Sequence, residues 1–543
     1  MLGRAGVELG ADVPPLPPLL AGRGDKAAVV ERRALAEGRL GSAPEVACTP
    51  AKARARRKSL GGPYIYTCLL QRVIVLHLHL YQPERADPWL EVIFPEPSAS
   101  PYRHWNERVS YECYEPNAEL GNYRWVSFDV GPTLLSWLRQ NKPLVYMALL
   151  EADKAGAERW GHGNALAHPY YHVILPLLPR RDRDVLIYWG VEYFKRHFRR
   201  SPEGMWLPEM AVDLETLEVL VDNGISYTVL TQSQVKGGRP GGPYKVVLPS
   251  GRSIAVFVRD EALSNALAFG GFGRFMEMLG GSREAIIALD GETFGHHIKG
   301  AERDLAQFIA RRGDEMANLG KLYEGGYRGE VEIVEKTSWS CPHGLGRWSR
   351  DCGCDGPAPW REALRKLVDW VGEVVDKAFE ERLGGRGWEL LRRYIDVILG
   401  GDNSGYGVEE LRLLEAERAK LAANTSDAWF FARVGIEFGI AVKWALRAVE
   451  LLGDAALMEQ FMRRLGEIPI DGETALAYCP RIRGPLVAAA MYISLSMSGR
   501  PPERVGPYVF RHINDEFEIV DTRTREVFRF RHDLLWSRQG FPS

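Results

Sequence analysis

The sequence predicts an α/β fold, a parallel barrel or a doubly wound sheet, followed by an α-helical region and a short C-terminal β segment. Three observations carry this expectation. Short apolar runs that read as buried parallel strands alternate with helical patterns from Arg72 to Val334. From about Pro357 the pattern changes to long amphipathic helices. The last stretch, YVFRHINDEFEIVDTRTREVFRFRHD, alternates apolar and polar residues as an antiparallel hairpin or meander does.

Taken in order, residues 1–62 are rich in Ala, Gly, Arg and Pro, with PPLPPLL near the start and AKARARRK near the end. They are expected not to fold. Either they form a flexible basic arm or they precede a natural translation start near Leu70 to Val73, and the second is favoured. RVIVLHLHL from Arg72 reads as a buried strand that ends in polar residues. DRDVLIYWGVEYFKRHFRR has helical spacing, GMWLPE reads as a strand end, DLETLEVLVDNG as a capped helix stopped by Gly224, and ISYTVLT as a strand. REAIIALDGETFG then reads as a strand running into a loop, ERDLAQFIARRGDEM as a helix and GEVEIV as a strand. WREALRKLVDWVGEVVDKAFEERLG and AWFFARVGIEFGIAVKWALRAVELLG each read as one long helix. The expected domains are a barrel over 70–356, a helical domain over 357–504 and a small β-rich tail over 505–543.

Composition narrows the function. With 69 Lys and Arg against 71 Asp and Glu, the net charge of -2 supplies no field for a polyanion, so nucleic acid is not the expected partner. The 15 Trp and 21 Tyr suit the faces of sugar rings, although aromatics also fill cores. Seven cysteines, odd in number and mostly scattered, do not suggest a secreted disulfide framework. No apolar run is long enough to span a bilayer, and the start of the chain lacks the apolar stretch of a signal peptide. A cytoplasmic protein without a membrane partner is expected. The Arg and Glu content of the helices is compatible with a thermophilic source.

In α/β barrels chemistry sits where strands end, so the informative residues lie where an apolar run turns polar. Four such junctions are His77-Leu78-His79, Trp206-Leu207-Pro208-Glu209, Asp290-Gly291-Glu292 and Thr337-Ser338-Trp339. On a strand of period two, His77 and His79 share a side, and so do Asp290 and Glu292. Two carboxylates from different strands are the minimum equipment for glycoside hydrolysis: one attacks the anomeric carbon and the other donates to the leaving oxygen. On spacing alone, capping and surface ion pairing remain the commoner roles for such groups.

The ordered series HLHLYQP (77–83), GNALAHPYYHVILPLL (163–178), EGMWLPEMAVD (203–213), ALDGETFGHH (288–297) and TSWSCPHG (337–344) resembles the five regions of glycoside hydrolase family 57. It is closest to the branch whose catalytic domain precedes a helical domain of unknown function. The resemblance implies a distorted parallel (β/α)7-type barrel and retaining action on α-linked glucans or oligosaccharides, by amylase, glucanotransferase, branching or α-galactosidase chemistry. It implies Glu209 as nucleophile and Asp290 as general acid/base. His77, His79, His172 and Trp206 fall on the family's sugar-contacting positions, and Gln82, Glu292, Trp339 and His343 are expected to join them. No cofactor is implied, and the expected partner is an oligo- or polysaccharide. Two departures stand out: two extra residues precede Gln82, and the glutamate common in the second region is replaced by Asn164, both where substrate contacts are expected.

Cys341, His343, Cys352 and Cys354 offer four soft ligands within a short stretch. Zinc, a disulfide, and a loop lining the sugar site with His343 and Trp339 are the alternatives, the last favoured because the inner spacing of one residue is tighter than zinc sites usually show. Asn424-Thr-Ser-Asp is expected to cap a helix rather than to reach over the barrel mouth. Two other function classes stay open. A metal-dependent deacetylase or zinc glycosidase would need an Asp or a third His beside His77 and His79. A non-catalytic glucan-binding protein would keep the fold without turnover.

Overall fold

The computed structural model describes residues 72–280, 283–470, 472–480, 483–497, 502–513 and 516–531. The expected extension over 1–62 lies outside them.

The run VIVLHLHL forms the strand Val73–Leu80, buried along almost its whole length as a parallel strand covered on both faces must be. It pairs in parallel with Ser127–Val130 on one side and Glu284–Asp290 on the other. Ser127–Val130 pairs in turn with Ala165–Leu166. Single parallel bridges, Ala167 to Met205 and Gly204 to Tyr227, then carry the sheet through the 204–206 segment to Tyr227–Thr231. There a side chain at Gly204 would fall 2.1 Å from the Tyr227 ring, which is why the approach needs glycine. Tyr227–Thr231 pairs with Ser253–Arg259, and the Asp260 amide donates to the Ile286 carbonyl at 2.7 Å, returning to Glu284–Asp290. Seven parallel segments thus close a barrel, and the thin pairing at 204–206 and at the Asp260 closure distorts it.

The helices between the strands have local causes. Leu214–Asp222 starts where Asp213 accepts from the Thr216 amide at 2.8 Å, and Gly224 follows it with φ 79°. Arg180–Phe198 turns Val185, Leu186, Trp189, Val191 and Phe194 inward at helical spacing. GEVEIV contributes no barrel strand: Glu330 makes a single parallel bridge to Lys245, and Glu332–Ile333 pairs antiparallel with Val235–Lys236.

Beyond the barrel, Trp360–Leu383, Val408–Ala422 and Ile436–Leu452 form a packed helical region. The stretch read as one helix from Ala428 is two, Asp427–Phe430 and Ile436–Leu452. Tertiary bonds take the backbone groups a continuous helix would use: Arg347 and Arg361 donate to the Phe430 carbonyl, Asp355 accepts from the Ala432 amide, and Trp360 donates to the Ala432 carbonyl. Near the C-terminus Tyr508–Ile513, Glu516–Asp521 and Val527–Arg531 form the expected meander. Among the described residues no helix is long and apolar enough to cross a membrane.

Candidate active site

Strand register assembles one side of the site. Its rows pair His77 with Ser127 and Ala288, and His79 with Asp129 and Asp290. His79, Asp129 and Asp290 therefore stand side by side at the C-terminal ends of three neighbouring strands. Asp129, fully buried, accepts from both histidines: His77 Nε2 lies 3.1 Å and His79 Nδ1 2.9 Å from its carboxylate oxygens. His77 Nδ1 meets Ser127 Oγ at 3.1 Å.

Burial works against charge on both rings, and the outcomes differ. His77 is held below the ordinary histidine value. For His79, Asp129 outweighs burial, helped by Asp290 and Glu292, and pushes it up to about 9. Burial likewise opposes ionisation of Asp129, but His79 and His77 bring it down to about 2. An imidazolium and a carboxylate thus sit beside Asp290 at neutral pH.

Aromatic rings continue from this pair. Trp206 lies buried against His77 and His79, with ring centroids 4.9 and 5.0 Å away. His79 also stacks near His168 and His172, and Tyr81 lies 3.9 Å from His172. Trp206 Nε1, His168 Nε2 and His172 Nε2 are buried without a hydrogen-bond partner.

Glu209 comes from a different construction. It sits in the turn Pro208–Met210 with φ 57°, followed by Met210 at φ 48°, two successive non-glycine residues in the left-handed region. Its Oε2 accepts from Trp339 Nε1 at 3.0 Å and from Ser340 Oγ at 2.5 Å, while its carbonyl accepts from the Trp339 amide at 3.1 Å. Burial and the charge of Asp290 raise its pKa, and the Ser340 and Trp339 donors oppose them. Thr337-Ser338-Trp339 is not a strand end. It is a loop bridged to Val212, and it lies against the Glu209 turn. Arg259, at the end of its strand, lies over the Trp339 ring at 4.9 Å and donates to the Ala288 carbonyl at 2.8 Å.

Asp290 ends its strand exposed, whereas Glu292 is buried. The strand stops at Asp290 and Gly291–Thr293 turns, so the two do not continue one alternating face. Glu292 instead accepts from the Tyr81 amide at 3.1 Å and from the Tyr114 hydroxyl, and burial followed by Asp290 raises it to about 7. Tyr114 closes a π-helical turn, Ser110–Tyr114. Gln82 donates to the Tyr81 carbonyl at 2.9 Å and to the Tyr114 hydroxyl at 3.3 Å, so it supports the Glu292 side.

The helical region reaches the mouth after all. Ser426 Oγ meets His172 Nδ1 at 2.6 Å and Asp427 accepts from the Tyr81 hydroxyl at 2.5 Å, while Ser426 makes no side-chain cap. Burial raises Asp427 to about 7 despite that bond. Asn164 belongs elsewhere. It precedes the strand Ala165–Leu166, fully buried, and donates to the Tyr123 and Ala152 carbonyls, so the departure at this position does not touch the mouth. His343 is turned among the cysteines, with Nδ1 3.3 Å from Cys354 Sγ. The sulfurs of Cys341, Cys352 and Cys354 lie 3.1 to 4.0 Å apart, unbridged in this arrangement.

Sequence reasoning missed Asp129, His168, Arg259 and Ser340. Arg259 carried a usable signal, a charged residue at the end of an apolar strand, whereas Asp129 lies inside the short strand Ser127–Val130. Ser340 carried none, because its role depends on a loop folding back onto Glu209.

A carboxylate on a gripped, strained turn and a second carboxylate at a strand end thus lie within electrostatic reach of each other in a parallel barrel. Residues 76–327 match the family model of glycosyl hydrolase family 57, and residues 358–470 match a domain of unknown function, DUF3536. The match to glycosyl hydrolase family 57 covers the barrel, a little under half of the chain. An alpha-amylase of Pyrococcus abyssi is 27% identical over 207 residues, 35% of this chain and 30% of the relative. Alpha-amylase 1 of Dictyoglomus thermophilum is 32% identical over 97 residues, 18% of this chain and 13% of the relative. The chain thus spans less than a third of the length of these curated relatives. An exo-type maltose-forming amylase from Pyrococcus superposes with a TM-score of 0.56 at 16% identity, covering 79% of this chain and 85% of that one, which establishes a shared fold.

Proposed function

We propose that the protein is a retaining glycosidase or transglycosidase of α-linked glucans or oligosaccharides, with Glu209 as nucleophile and Asp290 as general acid/base. The observation that carries this reading is the setting of Glu209: a carboxylate on a left-handed turn, with one oxygen held by two donors and the charge of Asp290 within electrostatic reach. Fixing one oxygen leaves the other to attack the anomeric carbon, while Asp290 protonates the leaving oxygen and then takes a proton from water or from an acceptor sugar. The partnerless Trp206 Nε1, His168 Nε2 and His172 Nε2 support a hydroxyl-rich ligand, because buried polar atoms that cost free energy alone gain partners when it binds. The relatives named as amylases fit this substrate class. A cytoplasmic location is part of the proposal.

Incubation with maltooligosaccharides, amylose and an α-galactoside, with Glu209→Gln in parallel, tests it. New or redistributed saccharides from the wild type alone are expected, with turnover in the variant down by about 10⁴-fold. Turnover unchanged in Glu209→Gln would refute the assignment.

A second reading rests on one observation: ligand atoms of His79, Asp129 and His168 lie within 4.8 Å of one another, a grouping able to hold a divalent metal for deacetylation or metal-assisted glycoside cleavage. The grouping places Asp129 and His168 beside His79 and leaves out His77. Metal content and turnover both unchanged by His168→Ala would discard it.

A further inference from the structure

The loop that grips Glu209 continues directly into Cys341, and there the chain draws four soft ligands together. Ligand atoms of Cys341, His343, Cys352 and Cys354 all lie within 4.8 Å of one another. The sulfur of Cys341 is 4.0 Å from that of Cys352 and 3.5 Å from that of Cys354, the Cys352 and Cys354 sulfurs are 3.1 Å apart, and His343 Nδ1 is 3.3 Å from Cys354 Sγ. Bonds of about 2.3 Å to sulfur and about 2.0 Å to nitrogen in a tetrahedron imply edges of about 3.8 Å between sulfurs and about 3.5 Å from sulfur to nitrogen. A disulfide needs about 2.05 Å and would leave one of three thiols over. We infer that Cys341, His343, Cys352 and Cys354 bind one structural zinc ion that locks the loop carrying Trp339 and Ser340 against Glu209.

The tight Cys-x-Cys spacing has a local answer. Gly353 between the two cysteines has φ +70°, with open space around it, and this left-handed link lets both sulfurs turn to one side. Binding converts three thiols to thiolates and releases three protons, leaving the zinc centre with one negative charge. The buried Arg361 guanidinium lies 3.9 Å from Cys352 Sγ to offset it, and also pairs with Asp355 at 2.8 Å. The same framework reaches the mouth. Arg347 donates to the Ser340 carbonyl at 3.2 Å and to the Phe430 carbonyl at 2.5 Å, and Arg361 donates to the Phe430 carbonyl at 3.0 Å, three residues beyond Asp427. The loop holds little regular structure beyond the turn Gly346–Trp348, so metal would add a cross-link to the packing of Leu345 and Trp348.

The ligand set stands independently of the catalytic reading, and only its effect on turnover rests on that reading. Protein purified without chelator is measured for metal by elemental mass spectrometry, with X-ray absorption at the zinc edge. One zinc per chain in a shell of three sulfurs and one nitrogen is expected, falling below a tenth in the Cys352→Ser, Cys354→Ser double variant. Stripping zinc from the wild type should lower kcat by about 10²-fold, as loss of the Ser340 donor would, with recovery on adding zinc alone. Metal-free protein as purified, a shell of nitrogen and oxygen only, or zinc retained by the double variant would overturn the inference. Zinc bound as expected in a protein without glycoside turnover would leave the metal site standing and sink only the catalytic reading.

Discussion

The two sides of the barrel mouth are built on different terms. His77, His79 and Asp129 stand on adjacent parallel strands, buried and bonded to one another in rows fixed by register. Glu209 stands on a turn in a sparsely populated backbone region and is held by a loop from more than a hundred residues further along the chain. The first side is part of what folds the barrel. The second takes on backbone strain of about 1–3 kcal/mol per left-handed residue, which the surrounding structure must sustain. Such a division lets the barrel stay rigid while the loop decides how a carboxylate is presented.

Substitutions can break this contrast. The largest effect is expected at Asp129: its removal takes from buried His79 the carboxylate bonded to it, so Asp129→Ala should destabilise the fold by about 3–5 kcal/mol in urea unfolding. Ser340→Ala should do the reverse, lowering kcat by about 10²-fold with little change in Tm, because it removes one donor to the reacting carboxylate and no part of the core. If Ser340→Ala lost as much stability as Asp129→Ala, the contrast between a structural and a positioning side would fail.

The smallest expected effect is a dependence on pH. Glu292 is raised to about 7 from the ordinary glutamate value of 4.5, so between these values the folded chain holds a proton that the unfolded chain has released. Its contribution to stability is complete below about 4.5 and is lost as pH rises through about 7. Glu292→Gln, which stays neutral, should flatten that part of a Tm-against-pH curve; an unaltered slope would show that Glu292 already ionises at ordinary acidity.

What was legible in the sequence follows the same division. VIVLHLHL, YTVLT and EAIIALD announced their strands by apolar runs, and the polar residues at their ends marked His79 and Asp290. The (β/α)7 barrel itself came from the resemblance and holds. Long-range bonds were not legible. The helix expected from Ala428 breaks because Arg347, Arg361, Asp355 and Trp360 claim its backbone, and Asp427 thereby turns to Tyr81. Asn164 looked like a change at the substrate site because motif position was read without strand direction; it lies before the strand that the mouth follows.

The most direct test of the central claim is covalent capture. Asp290→Asn cannot protonate a sugar leaving group, but α-maltosyl fluoride needs no such help, so the glycosyl-enzyme should form and persist long enough for peptide mass spectrometry. A maltosyl adduct on Glu209 is the predicted result. An adduct on Glu292 or Asp427, or none while the wild type turns over glucans, would contradict the assignment of Glu209 as the nucleophile.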